Sequence, residues 1–573
     1  MHNTADIESC FLELSKAENL EQVDFIPSCS HKRYVSTWKW ITEISLYGSV
    51  AEIELYIGIS DKFPYILPDF YFFEQKYDYF PHIDHNTRKL CYLEDGITYD
   101  TTDYLNVLQF CLNRAKRLIS DGANKTNVSD FKTEINSYWL STYNKEPFPL
   151  LDIILYGDLP QESTILDLYL YKEQISDAGE RERCVMVCSE DENTAFTEFI
   201  QGKSRVSKKK ALFLKSVTIP QTPPYSISFL QLIEMVDEAD LKIFRRHLNS
   251  EHSLILVFRL FNSNRFGGII IENQPTKRKG FRNNLTVFDV LSKFEKRNQP
   301  FQRIMGELYS IQVKNKRCDD TSVRDNSFAI IGLGSVGSNL CYYLNGLSDS
   351  RFILIDNDIL RSENTGRHLL GFRYIGQAKS VAMCNFIKER NPEICVKTYE
   401  HSILAIFDEV IDQINSCSAI FVCVGDSIVE DFILKNVTQG NIKVPLYLMW
   451  VEPFSIAGHM VYINPYSASN TFSLVTGDQL LYKYNLIHPK MYAERSAEFV
   501  ESEAGCNASY ALYSQNNVTL FLSAMYPIIN KLLDNPCESK CYRWTGNINV
   551  ASQKKLLLTN TSTKKGEVLE FPI

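Results

Sequence analysis

The order of apolar and polar positions in the first part of the chain is typical of one compact α+β domain. A helix-like start is followed by the strand-like runs "KRYVSTWKWITEISLYG" and "VAEIELYIGIS", and then by a proline-punctuated turn, "DKFPYILPDFYFF". An aromatic loop comes next, and "DYLNVLQFCLNRAKRLIS" repeats its apolar residues with a helical period. We therefore predict a separate α+β domain over residues 1–145.

Residues 146–300 have a different pattern, in which short apolar runs such as "LLDIILYG" and "SLILVFRLF" alternate with polar turns. One segment, "SISFLQLIEMVDEADLKIFRRHL", has a helical period. The pattern predicts a strand-rich connecting domain. It contains a basic run that we predict to be a solvated loop, with a docking patch for an acidic partner as the alternative. The run comprises Lys203, Arg205, Lys208, Lys209 and Lys210.

Residues 301–573 alternate strand-like and helix-like segments. The strand-like runs are "FAIIGLG", "RFILIDND", "SAIFVCVGD" and "VPLYLMWVE". Such alternation predicts a mainly parallel, doubly wound, Rossmann-like sheet, which a C-terminal tail follows. The whole chain is thus predicted to be a multidomain α/β protein.

Composition narrows the classes of function. The 573 residues carry a formal net charge of -9, so no bulk attraction to nucleic acid or anionic lipid is expected. The N-terminus lacks an apolar signal core, and no run of about 18 apolar residues occurs, so we expect a soluble, cytoplasmic protein. Fifteen cysteines without a disulfide-like framework indicate a reducing compartment. The close pairs Cys184/Cys188 and Cys537/Cys541 leave a structural zinc site as the alternative.

A glycine-rich turn gives the first candidate site. In "FAIIGLGSVGSNLCYYL" an apolar strand runs into Gly332, Gly334 and Gly337 and then into a helix-like segment. Such a turn lets backbone N–H groups and the positive end of a helix approach a phosphate. Asp356 ends the next strand, 19 residues beyond the third glycine, where an acid binds ribose hydroxyls. These four residues suit NAD, FAD and ATP alike.

Polar residues that follow Asp356 in the sequence distinguish between NAD, FAD and ATP as the ligand. Asp358, Asn364, Arg367 and Lys379 follow it, and Asp426 ends a later apolar strand. An asparagine, an arginine and a lysine near a triphosphate, with an aspartate able to hold Mg²⁺, would stabilise charge on an α-phosphoryl group under attack. Hydride transfer does not need these groups.

This set of residues resembles the ThiF/MoeB-like and ubiquitin-activating adenylation domains. The second element of their pattern reads "DNDILRSENTGRH" in this chain, with Glu363 in place of serine and His368 in place of glutamine. The resemblance implies ATP and Mg²⁺ as cofactors. It implies that Asp356 binds the ribose, that Arg367 and Lys379 bind the phosphates, and that Asp426 holds Mg²⁺. The three glycines and Asn364 complete the implied nucleotide site.

The same resemblance implies an arginine supplied across a homodimer, for which Arg303, Arg317 and Arg324 all remain candidates. It also implies an acyl-accepting thiol on a late crossover loop. Cys506, in the polar stretch "VESEAGCNASYALYSQ", fits that position, and a structural cysteine is the alternative.

The N-terminal domain resembles the ubiquitin-conjugating fold. Its "PHIDHNTRKLCYL" corresponds to the family segment that ends in the acceptor cysteine, which makes Cys91 the implied second thiol. His82 falls near the asparagine that supports the oxyanion in that family, and the asparagine itself is missing. A buried loop cysteine is the alternative for Cys91.

Together the two halves resemble the fused enzyme of type II CBASS antiphage operons. That resemblance implies adenylation of a protein C-terminus, transfer to Cys506 and then to Cys91, and ligation to an amine-bearing acceptor. It also implies a cGAS-like nucleotidyltransferase as the activated partner and a homodimer through the adenylation domain. A sulfur-carrier adenylyltransferase and an NAD-binding regulatory protein remain as alternatives.

Overall fold

The computed structural model describes most of the chain, and its contacts divide the chain into two compact units. The described residues are 4–16, 18–24, 26–27, 34–74, 77, 80–84, 87–94, 96–141, 151–174, 179–189, 196–200, 203–223, 227–250, 253–261, 263–272, 286–293, 302–310, 313, 326–345, 351–392, 394–467, 475–476, 481–502, 509–560 and 562–573. The first unit comprises Met1–Ser189 and Lys203–Tyr309, and the second comprises Glu190–Gly202 and Ser310–Ile573.

The first unit begins with a four-stranded antiparallel sheet in the order β1-β2-β3-β4. Its strands are β1 (Asn19–Gln22), β2 (Ser36–Leu46), β3 (Ser49–Ile59) and β4 (Asp69–Tyr71). Two helices, α1 (Thr4–Leu14) and α2 (Tyr104–Ala123), share one hydrophobic core with this sheet. Trp38, Trp40 and Ile44 alternate along β2 toward that core, as expected for a strand with one buried face. The α+β domain predicted here is confirmed.

The connecting domain is a closed barrel of seven strands in the order β10-β11-β5-β7-β6-β8-β9. The strands are β5 (Leu151–Tyr156), β6 (Thr164–Gln174), β7 (Glu180–Val187), β8 (Ser204–Leu214), β9 (Ser253–Arg259), β10 (Arg265–Glu272) and β11 (Gln302–Tyr309). A second core lies between the barrel and five helices: α3 (Asp130–Thr133), α4 (Ile135–Ser141), α5 (Phe229–Met235), α6 (Glu238–Ser250) and α7 (Val287–Lys293). The predicted strand-rich domain is confirmed.

Two details of the barrel differ from the sequence expectations. Strand β11 closes the barrel, so the barrel extends past residue 300 into the stretch that we had assigned to the adenylation domain. All of the basic run except Lys203 lies in strand β8 rather than in a loop. Lys208, Lys209 and Lys210 are exposed, but Lys208 and Lys210 both pair with Asp167 on the neighbouring strand β6, which gives the charged run a partner strand.

The second unit is built on an eight-stranded sheet in the order β14-β13-β12-β15-β16-β17-β22-β23. The five strands from β14 to β16 are parallel, and β17, β22 and β23 are antiparallel. The strands of this unit are β12 (Ser327–Ile331), β13 (Arg351–Ile355), β14 (Val396–Tyr399), β15 (Ala419–Val422), β16 (Leu446–Val451), β17 (Ala457–Ile463), β18 (Val475–Thr476), β19 (Leu481–Tyr482), β20 (Val500–Ser502), β21 (Ser509–Ala511), β22 (Lys540–Thr545) and β23 (Val568–Pro572).

Helices cover both faces of this sheet, and each face has its own core. They are α8 (Ser335–Leu344), α9 (Lys379–Arg390), α10 (Ile403–Asn415), α11 (Ser427–Thr438), α12 (Pro489–Arg495), α13 (Gln515–Asp534) and α14 (Ile548–Gln553). The predicted doubly wound sheet is confirmed, and the C-terminal segment, predicted as a tail, contains β23, which pairs with β22 inside the sheet. In the described part of the chain, no helix is both long and apolar enough to cross a membrane.

Candidate functional site

The three glycines after β12 have three different surroundings. Gly332 turns the chain with a φ of +86°, a conformation that favours glycine, and a Cβ there would lie 2.7 Å from Val424. Gly337, inside α8, would bring a Cβ to 1.9 Å from the Gly332 carbonyl oxygen, so its lack of a side chain lets the helix pack against the turn. Gly334 precedes α8 and has open space where its Cβ would be. The open position is the one that a ligand could approach.

A cavity of about 630 Å³ opens beside this turn, within the ~300–1,000 Å³ common for ligand pockets. It lies at the carboxyl ends of neighbouring parallel strands, where ligands bind in open α/β sheets. Most of the predicted nucleotide-site residues line it: Gly332, Gly334, Asp356, Asp358, Arg367, Lys379 and Asp426. Gly337 and Asn364 are not among its lining residues. The structure therefore brings together residues that are up to 94 positions apart in sequence.

Asp356 follows β13 and is held by the backbone. One carboxylate oxygen accepts a hydrogen bond from the Leu333 N–H, and the other accepts from the Asp358 N–H at 2.8 Å. Burial raises the pKa of Asp356, and the nearby Lys379 ammonium opposes this shift. The carboxylate thus joins the glycine turn to the end of the neighbouring strand.

The two cations of the cavity are both engaged with other groups. Lys379 is the first residue of α9, is 8% exposed, and places its Nζ 2.8 Å from Asp358 Oδ2. Arg367 donates from Nη1 to the Ala511 carbonyl at 3.1 Å, and its guanidinium lies 5.6 Å from the centre of the Tyr513 ring. A phosphate that entered the cavity would meet both cations.

His368 has a structural function that the sequence analysis did not find. Its Nδ1 accepts from the Leu370 N–H at 3.0 Å, so Nε2 carries the proton and donates to the Leu333 carbonyl at 2.8 Å. Burial lowers the pKa of His368 to about 4, which keeps the ring neutral at pH 7. Asn364 likewise acts locally, since its Oδ1 accepts from the Arg361 N–H at 3.0 Å. Its predicted contact with the nucleotide stays a prediction.

Asp426 stands at the N-terminus of α11. Its Oδ1 accepts from the Ile428 N–H at 2.9 Å, which caps the helix. The same residue lines the cavity, so its carboxylate is positioned by the helix terminus that it caps.

Several predicted residues lie outside the described residues, namely Cys506, Arg317 and Arg324. The strands on either side of the Cys506 stretch, β20 and β21, pair in antiparallel register. Just after β21, Tyr513 shares a 2.7 Å hydrogen bond with Ser335 at the start of α8. The remaining cross-dimer candidate, Arg303, is buried in barrel strand β11 of the first unit.

Cys91 is exposed, so the alternative of a buried loop cysteine is wrong. Its N–H donates to the His82 carbonyl at 2.8 Å. His82 has a φ of +67°, and its ring lies between two carboxylates: Nε2 is 3.1 Å from Asp130 and Nδ1 is 2.8 Å from Glu134. Partial burial of the sulfur and the charge of Glu134 raise the pKa of Cys91. Sequence reasoning missed both carboxylates, which lie 48 and 52 positions after His82.

Comparisons with known proteins support both the adenylation-like interpretation of the C-terminal part and the conjugating-like interpretation of the N-terminal domain. The profile of the ThiF family matches residues 310–480, and that of the prokaryotic E2 family B matches residues 28–148. Ubiquitin-like modifier-activating enzyme 5 of Drosophila grimshawi is 24% identical over 181 residues, which is 29% of this chain and 43% of that protein. The ATP-dependent ubiquitin transferase-like protein Cap2 of Vibrio cholerae serotype O1 (strain ATCC 39315 / El Tor Inaba N16961) is 23% identical over 396 residues.

That match covers 61% of this chain and 64% of Cap2, so the chain spans less than two thirds of each of these relatives. Among solved structures, E. coli MccB with MccA-N7isoASN is 13% identical and covers 46% of this chain and 66% of that chain. Its TM-score is 0.31. The resemblance to fused conjugating-like and activating-like enzymes is confirmed, because the match to the prokaryotic E2 family B and the match to the ThiF family occur in one chain.

Proposed function

We propose that this protein uses ATP to activate the C-terminal carboxylate of another protein and then joins that carboxylate to an amine. The observation that carries the proposal is the cavity in the second unit, where Asp356, Arg367, Lys379 and Asp426 surround a glycine-rich turn. A regulator that only bound NAD would need the turn and Asp356 but not the two cations and the second carboxylate. Similarity to Cap2, whose name describes an ATP-dependent ubiquitin transferase-like protein, also favours ATP-dependent activation over NAD binding.

The residues of the cavity suit the activation step. Asp356 would bind the ribose of ATP, and Arg367 and Lys379 would bind the phosphates while the substrate carboxylate attacks the α-phosphorus. A Mg²⁺ ion held at Asp426 would neutralise charge on the phosphates. Phosphate oxygens of the nucleotide and water would complete the coordination of such an ion. The products are an acyl-adenylate and pyrophosphate.

Two thiols then carry the acyl group. Cys506 would attack the acyl-adenylate and release AMP, and Cys91 would take the acyl group by thioester exchange. The exposed position of Cys91 supports its part in this relay, because an acceptor thiol must be reached by a second protein surface. An amine finally displaces Cys91 and leaves a stable amide. A sulfur-carrier adenylyltransferase would have no use for Cys91 or for its domain.

We further propose that the activated partner is a cGAS-like nucleotidyltransferase and that the protein acts as a homodimer through its adenylation domain. The support is the resemblance to the fused enzymes of type II CBASS operons together with the similarity to Cap2. The final acceptor is an amine-bearing molecule.

Exchange of radiolabelled pyrophosphate into ATP tests the activation step. With Mg²⁺ and a purified cGAS-like nucleotidyltransferase that has a free C-terminal carboxylate, we expect exchange that stops when that carboxylate is removed. Asp426→Ala should lower the exchange rate at least ~10²-fold, the scale of losing one charge-stabilising group. Asp426→Asn keeps a side-chain oxygen to cap α11 but loses the charge, so it should be almost as slow.

Asp431→Ala is the matched control, because Asp431 lies on the same helix and pairs with Lys435 at the surface. Its exchange rate should equal that of the wild-type protein. If Asp426→Asn exchanges at the wild-type rate, the carboxylate does not act in the activation step.

A further inference from the structure

Three polar residues on one short helical segment face the Cys91 loop. Asp130, Glu134 and Tyr138 are spaced four residues apart across α3 and α4, a spacing that puts side chains on one helical face. Asp130 and Glu134 hold the two ring nitrogens of His82 at 3.1 and 2.8 Å. The Tyr138 hydroxyl accepts from the His82 N–H at 2.6 Å and lies 3.3 Å from Glu134 Oε2. All three side chains therefore converge on the residue whose carbonyl binds the Cys91 N–H.

The adjacent face of the same segment packs into the core that the barrel shares with its helices, and the Tyr138 ring reaches this core as well. Phe131, Ile135 and Trp139 belong to the core that the barrel strands and helices build. Trp139 is fully buried, and its Nε1 donates to the Ile304 carbonyl on β11 at 3.0 Å. Glu134 is thus five positions from Trp139, whose side chain is buried in the connecting domain.

The seat of Trp139 is shaped for this side chain. Arg303 donates from Nη1 to the Trp139 carbonyl at 3.1 Å, and its guanidinium lies 5.1 Å from the indole centre. On the neighbouring strand β10, a Cβ at Gly267 would come within 2.9 Å of the indole ring, so glycine leaves the space that the ring occupies. The position of the helical segment is therefore set by the barrel and not by the α+β domain alone.

We propose that the barrel is part of the Cys91 centre: by seating Trp139, it holds Asp130, Glu134 and Tyr138 against His82, whose carbonyl binds the Cys91 N–H. Asp130, Tyr138 and Trp139 act as positioning residues. Glu134 accepts a proton from the attacking amine.

The charges in the cluster fit this assignment. The hydrogen bond with Glu134 raises the pKa of His82, and the bond with Asp130 adds to this shift against the opposing effect of burial. A protonated His82 donates one N–H to each carboxylate, so its ring is engaged and does not replace the oxyanion-binding asparagine of the conjugating family. The imidazolium between two carboxylates leaves one net negative charge, which attracts an ammonium group to the thioester.

The chemistry of the last step rests on the proposed function. An ammonium group of the acceptor gives one proton to Glu134, and its nitrogen attacks the carbonyl carbon of the Cys91 thioester. The C–N bond forms, the C–S bond breaks, and the departing sulfur takes the second proton from nitrogen. Glu134 then returns its proton to water. The step needs no oxidant, reductant or further reactant.

Alkylation of Cys91 by iodoacetamide tests the positioning without ATP or any acyl partner, so its failure is distinguishable from failure of the proposed function. The full-length protein is treated at pH values from about 7 to 10, and peptide mass spectrometry follows Cys91 separately from the other cysteines. The groups that act on the sulfur are Glu134 and Asp84, which raise its pKa, and Lys89, which lowers it.

Glu134→Gln should lower the apparent pKa of Cys91 by about one unit, the scale for removing one nearby like charge. Tenfold more thiolate with somewhat lower nucleophilicity gives about threefold faster alkylation at pH 8. Gly267→Ala should shift the profile in the same direction, because its methyl group would lie 2.9 Å from the Trp139 ring and 2.8 Å from Leu260, and so crowds the space that the ring occupies. The matched control is Gly306→Ala on β11, whose methyl group would contact Leu155, Ile153 and Phe266 instead. Its profile should match the wild-type profile.

A wild-type profile in Gly267→Ala, alongside a shifted one in Glu134→Gln, would overturn the part assigned to the barrel. If Gly267→Ala does not fold, the alkylation profile of Trp139→Phe replaces it as the test of the barrel. This variant keeps an aromatic ring but loses the hydrogen bond to the Ile304 carbonyl. An unshifted profile in both remaining variants would overturn the proposal.

The proton transfer has its own measurement. Cys91 is acylated by exchange with a synthetic peptide thioester, and discharge to free lysine is followed at several pH values. Glu134→Gln should discharge at least ~10²-fold more slowly near pH 7, as for loss of a general base. The difference should close as the pH approaches the lysine pKa of about 10.4. A rate ratio that stays constant with pH would refute proton transfer to Glu134.

Discussion

Adding one methyl group at each of two glycines should separate folding from nucleotide binding in the second unit. At Gly337 the new carbon would lie 1.9 Å from the Gly332 carbonyl oxygen and 3.3 Å from the Cys423 side chain. The helix or the turn must therefore move by more than an ångström. Overpacking of this kind costs about 1–3 kcal/mol, which lowers the melting temperature of a unit of this size by roughly 3–10 °C.

At Gly334 the same methyl group meets no atom within 4 Å. The folded protein should lose at most about 1 kcal/mol, through the poorer helix cap that alanine provides. The methyl group would occupy the open side of the turn, where a phosphate oxygen approaches the backbone. A hydrogen bond to a charged group is worth about 1.5–3 kcal/mol, so ATP affinity should fall at least ~10-fold.

The measurements are thermal unfolding without nucleotide and calorimetric titration of ATP with Mg²⁺. Gly337→Ala should melt at a lower temperature, and Gly334→Ala should melt close to the wild-type protein but bind ATP weakly. Wild-type ATP affinity in Gly334→Ala would refute the assignment of the phosphate site to this turn. Wild-type melting of Gly337→Ala would refute the close-packing explanation of that glycine.

Other predictions concern the thiols and a buried histidine. Cys506→Ala should form acyl-adenylate but leave Cys91 unloaded, as seen by intact mass; loading of Cys91 would mean direct attack on the adenylate. Cys91→Lys should trap the partner as an amide that resists reducing thiol, and a thiol-sensitive adduct there would contradict the order of transfer. His368→Gln should reduce acid sensitivity: the folded pKa of His368, about 4, lies below the ordinary 6.5, so this histidine costs stability as the pH falls from 6.5 toward 4. That cost is on the order of 3 kcal/mol, and a fall of the urea midpoint between pH 6.5 and 4 that is as large in His368→Gln as in the wild-type protein would refute it.

Much of the nucleotide site could be predicted from residues that lie close together in the sequence. The apolar strand β12, its glycines and the helix after them are adjacent in sequence, and Asp356 ends the next strand, so their geometry follows from the βα unit. The part played by His368 could not be predicted, because it depends on a bond to the Leu333 carbonyl 35 residues away.

The Cys91 centre and the barrel depend on contacts of still greater separation. Trp139 binds the Ile304 carbonyl 165 residues away, and strand β11 closes the barrel by pairing with β5 and β10. The run "QRIMGELY" mixes charged, apolar and glycine residues, so its sequence gives no strand period. Arg303, one of the three arginines that the family resemblance leaves open for a cross-dimer contact, is buried in this strand and donates to the Trp139 carbonyl.

The ion pair between Lys379 and Asp358 has a consequence for selectivity among anions. Because the ammonium is already neutralised at 2.8 Å, an incoming phosphate exchanges one anionic partner for another and gains little from this lysine alone. Small anions such as inorganic phosphate, which offer nothing to Asp356 or to the rest of the cavity, should compete poorly even at millimolar concentration. A ligand that also supplies a ribose and a base gains binding free energy from those groups. The ion pair therefore favours binding of a whole nucleotide over binding of inorganic phosphate.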